Sequence, residues 1–100
     1  YATITDSNTP YTTVAGAQIL ANTSSNPITV TLPAAASTGD EVTIIDARGT
    51  FQSNNLTVGR NGLNINTGTS DLTLSNNGQS LTLVYVDATR GWAYKTNYTS

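Results

Sequence analysis

The chain contains no cysteine, no histidine and no methionine. Without cysteine it can form no disulfide and no thiolate metal site. Without histidine it lacks the commonest general base and the commonest metal ligand. Charge is also scarce: Asp, Glu, Lys and Arg make up 10% of the residues, against about 25% in an ordinary globular protein. The basic residues are Arg48, Arg60, Arg90 and Lys95, and the net charge is −2. Such a chain cannot neutralise a run of phosphates, so nucleic acid is not an expected partner. No basic amphipathic stretch is present to lie on a membrane surface. No apolar run approaches the roughly 18 residues that a spanning helix needs. The missing methionine, with Tyr1 in first place, reads as the mark of a piece of a longer protein.

What the chain does contain is Thr, Ser and Asn, about two fifths of all residues, together with 37% hydrophobic residues in regular alternation. The alternation argues against disorder. The stretch at 26–50, NPITVTLPAAASTGDEVTIIDARGT, organises the rest. Ile28, Val30 and Leu32 alternate with Thr29 and Thr31, the period of a half-buried strand. Pro33 ends the run because it has no N–H to donate. Gly39 supplies a turn, and Val42 and Ile44 restart an extended run on one face. The two runs read as an antiparallel pair that seeds a β-domain.

Elsewhere, short runs at 1–6, 11–14, 56–58, 63–66 and 71–75 alternate in the same way. The stretch at 15–20 tolerates a helix but is too short to hold one. Asn61-Gly62 and Asn77-Gly78 are hairpin signals. The run at 80–87, SLTLVYVD, is the longest and most apolar. Leu81, Leu83 and Tyr85 share one face, and Val84 and Val86 share the other. That predicts a central strand, or one with its second face covered by another subunit. The run at 92–96 closes the domain, with Trp92 and Tyr94 on one face. These runs and turn spacings predict an all-β fold: a compact antiparallel sandwich or β-roll of about eight short strands. A short β-solenoid is the second architecture that fits. Residues 1–14 read as an N-terminal extension or linking strand, and 15–100 as a single β-domain. With one lysine, open strand edges are poorly guarded, which points to a homo-oligomer whose chains cover one another.

The search for chemistry returns little. Asp46 and Asp87 are the one carboxylate pair that a glycosidase reading could use, but both stand beside turns, where aspartate usually caps backbone N–H groups. A Ser–Lys dyad would need Lys95, and no nucleophile motif surrounds a serine. Asp6-Ser7-Asn8 and Asp40-Glu41 offer oxygen ligands for calcium without the spacing of a twelve-residue loop. Asn22, Asn55 and Asn97 begin glycosylation sequons. No enzyme activity, cofactor or metal is expected. Trp92, Tyr94 and Tyr98 are the candidate contacts for a sugar ring, weighed against packing roles for the same side chains.

The progression ITVTLPAAASTGDEVTIIDARGTFQSNNLTV, then GRNGLNI, then DLTLSNNGQSLTLVYVDATRGW, resembles β-rich modules of tailed-bacteriophage virion proteins, of the tail-fibre, baseplate-associated or appendage type found in cyanophages. The resemblance covers about 15–96. It implies a non-enzymatic virion component, commonly a homotrimer, that assembles with itself and other virion proteins and in some cases meets a host-surface glycan. It gives Leu32-Pro33, Gly39-Asp40 and Gly91-Trp92 structural meanings and transfers no catalytic residue. A carbohydrate-binding adhesion domain and a capsid decoration protein are the other two functions consistent with this reading.

Overall fold

A computed structural model describes residues 2–4, by their backbone, and 9–98. Nine strands and no helix occur among them: β1 (Ala2–Ile4), β2 (Tyr11–Thr12), β3 (Gln18–Ala21), β4 (Ile28–Thr31), β5 (Glu41–Asp46), β6 (Leu56–Gly59), β7 (Leu72–Leu74), β8 (Ser80–Asp87) and β9 (Gly91–Tyr98). They form two mixed sheets. The first runs β1-β3-β5-β8-β9 and the second β2-β4-β6-β7. The molecule measures 35 × 25 × 23 Å.

The path of the chain differs from the antiparallel pairing predicted at 26–50. Strand β4 lies in the second sheet and β5 in the first, so the two runs are not partners. From β1 to β6 the chain instead crosses from one sheet to the other at every step. Each strand pairs in parallel with the strand two before it: β3 with β1, β4 with β2, β5 with β3 and β6 with β4. Only the last three pairings, β5–β8, β6–β7 and β8–β9, are antiparallel. Residues of 1–14 supply the edge strands β1 and β2, one to each sheet.

Parallel register stacks like on like. In the first sheet Ile19, Ile44 and Leu81 lie side by side, as do Val42 and Leu83. In the second, Ile28, Leu56 and Leu74 form one row, and Val30, Val58 and Leu72 another. These rows meet Phe51, Ile65, Tyr85 and Trp92 in a single core between the sheets. Burying each large side chain there contributes about 1.5–3 kcal/mol.

The alternation read from the sequence holds along β8, where Leu81, Leu83 and Tyr85 are buried, and β8 does lie inside its sheet. The Asn-Gly signals behave differently from simple hairpins. Asn61 and Gly62 both take positive φ, 51° and 85°, and turn the chain. The run at 63–66 then forms no strand, and Ile65 makes only isolated bridges to Gly68 and Trp92. The turn at Asn77-Gly78 joins β7 to β8, which lie in different sheets.

Candidate functional site

No pocket opens in the surface of the described residues. No cluster of three or more acidic, cysteine or histidine side chains occurs among them. Each candidate group can therefore be judged by its own partners.

The carboxylates are occupied by the backbone. Asp46 is 7% exposed, and four N–H groups converge on it. Arg48 and Thr50 donate to Oδ1 at 3.3 and 3.1 Å. Phe51 and Gly78 donate to Oδ2 at 3.1 and 2.9 Å. Asp87 Oδ1 accepts from the N–H groups of Thr89 and Arg90. Asp71 Oδ1 accepts from the Arg60 N–H, and Asp40 Oδ2 from that of Ser37. The turn-capping role predicted for Asp46 and Asp87 is the one they play, while Asp71 ties the two ends of the loop between β6 and β7. The β5–β8 register, with Glu41 opposite Val84 and Ile45 opposite Ser80, also sets Asp46 and Asp87 at opposite ends of the ladder. At a rise of about 3.4 Å per residue they stand more than about 20 Å apart. Two carboxylates acting on one glycosidic bond lie within about 10 Å, so these two cannot act together.

Lys95 donates to Glu41 Oε2 at 2.9 Å, an exposed ion pair, rather than activating a serine. The carboxylates of Asp40 and Glu41 point to different partners, Ser37 and Lys95, and do not converge on one ion. Asp6-Ser7-Asn8 lies outside the described residues.

The three aromatic candidates separate. Trp92 is 0% exposed and packs edge-on against Tyr85, with ring centroids 5.5 Å apart. It offers no face to a ligand, which removes it from the predicted glycan contacts. Its Nε1 finds no acceptor among the described residues. Tyr94 and Tyr98 are 40% and 65% exposed. Tyr94 lies opposite Leu83, on the core side of the sheet, as does Trp92 opposite Tyr85. The register then shifts at Lys95, so Tyr98 comes opposite Ser80 on the outer side. The two tyrosines thus stand on opposite faces of β9 and form no common platform.

The extended feature that remains is the outer face of the first sheet. Gln18, Thr43, Thr82 and Thr96 form one row across it, with the Thr43 and Thr82 hydroxyls hydrogen-bonded at 3.1 Å. Leu20, Ile45, Ser80 and Tyr98 form the next. Neither row contains a charge, and Leu20 and Ile45 are half-buried. Sequence reasoning noted the second face of β8 but not these rows, because they depend on which strands are neighbours. Compared with known proteins, the chain matches no family model and no curated protein.

Proposed function

We propose that the chain is a non-enzymatic structural module of a bacteriophage particle, carried in a tail fibre or similar appendage. It assembles with copies of itself and with neighbouring virion proteins. The observation that carries this reading is a pair of uncharged rows on the outer face of the first sheet, where Leu20, Ile45 and Tyr98 flank a hydroxyl row beside the Glu41–Lys95 ion pair. An apolar strip of that kind, on a chain this poor in charge, suits a subunit interface. The likeness of the sequence to phage virion modules points the same way. So does the use of each described aspartate as an acceptor for backbone N–H groups of turns and loops.

On this reading β1 to β6 are coils of a short solenoid and β7 to β9 close its end. A compact coil suits a spacer or joint in an appendage, where a shape must be held and nothing turned over. A homotrimer is the assembly that the resemblance implies. Tyr98, the more exposed of the two β9 tyrosines, favours host-glycan contact as a second reading.

Light scattering coupled to size exclusion tests the first reading, with a trimer expected at micromolar concentration. A stable monomer there would count against it. A glycan array without hits would sink the second.

A further inference from the structure

Two Asn-Gly pairs turn the chain at its surface, Asn61-Gly62 and Asn77-Gly78, and both asparagines are exposed. Glycine places no side chain in front of its own amide nitrogen, so the asparagine carbonyl before it is open to attack. In that reaction the glycine nitrogen gives its proton to solvent base and bonds to the asparagine Cγ. The side-chain nitrogen leaves as ammonia, closing a succinimide ring. Water then opens the ring at either carbonyl, leaving aspartate or isoaspartate. The net exchange is one water consumed and one ammonia released.

The fold treats the two pairs differently. At the second pair both reacting groups are held. The Gly78 N–H donates to Asp46 Oδ2 at 2.9 Å, and Asn77 Oδ1 accepts from the Gln52 N–H at 2.9 Å. Removing a proton from Gly78 would set an anionic nitrogen against a carboxylate, and swinging Asn77 onto that nitrogen would break its bond to Gln52. At the first pair the Gly62 N–H has no acceptor among the described residues. Asn61 is tied there by Nδ2 donating to the Leu32 carbonyl at 3.0 Å.

Both asparagine side chains are tied, so the difference lies in the attacking nitrogen: we propose that Asn61 is a site of spontaneous deamidation, whereas Asn77 is protected by the bond from the Gly78 N–H to Asp46. The change has a structural effect. The departing nitrogen is the donor that ties the turn after β6 to the end of β4. A carboxylate in its place faces the Leu32 carbonyl with no proton between two acceptors. The modification loosens the link between these two neighbouring strands.

Peptide mapping by mass spectrometry after incubation of the full chain at neutral and mildly alkaline pH tests this. In folded protein the Asn61 peptide should convert several-fold faster than the Asn77 peptide, with ammonia released in step. In concentrated guanidinium the two rates should converge. Equal rates in the folded state, a faster Asn77, or a gap that survives guanidinium would each overturn the proposal. The variant Asn61→Asp should lower the urea midpoint relative to the parent, and an unchanged midpoint would refute the assigned link.

Discussion

Asp46 is the residue on which the most backbone converges. Its four donors come from the loop that follows β5 and from the turn before β8, so one side chain fixes two loops that are distant in sequence. Truncation to Asp46→Ala would leave the buried Phe51 N–H and its neighbours unpaired. At about 1–3 kcal/mol for each buried unsatisfied group, the loss should reach about 3 kcal/mol or more in urea unfolding. Asp87→Ala, in an exposed turn, should stay within about 1 kcal/mol of the parent. That Asp46 caps a turn was legible from its place before Arg48 and Gly49. Its bond to Gly78 was not, because no local pattern connects a turn to a glycine in another loop.

At the scale of the element, β9 shows how a strand is fixed at its first residue. Gly91 has φ +69°, and a Cβ there would overlap the Asn64 carbonyl, which accepts the Trp92 N–H at 2.8 Å. Gly91→Ala therefore combines left-handed strain with a backbone clash and should cost roughly 3–5 kcal/mol. Gly39→Ala has a similar φ, +94°, but open space around it. It should cost only about 1–2 kcal/mol, and equal losses in urea melts of the two variants would contradict the role of the Asn64 contact. The existence of most strands and their inward faces was legible from alternation: Val42 and Ile44, or Leu81 and Leu83, declare themselves. Their partners were not. A period of two is the same in parallel and antiparallel ladders, and the loop at 32–40 gives no sign that it carries the chain into the other sheet.

For the whole molecule, the sheets bury one face each against the shared core and leave the uncharged rows of the first sheet outside. Ile45→Lys places a charge in the middle of that outer face, between Leu20 and Ser80. A half-buried outward residue tolerates such a change within about 1 kcal/mol of monomer stability, while an ammonium without a partner opposes subunit packing. The variant should elute as a folded monomer with an unaltered circular-dichroism spectrum. An unchanged oligomer would place the interface elsewhere.

The position of β5 carries a consequence for synthesis. It sits between β3, which precedes it, and β8, which is made only after the chain has added two strands, β6 and β7, to the second sheet. A ribosome adding about 5–20 residues per second thus exposes one side of β5 as a bare edge while the chain between is still being assembled. In that interval the nascent chain presents the apolar residues Val42 and Ile44 and an unfilled row of backbone donors and acceptors, the template that edge-to-edge aggregation uses.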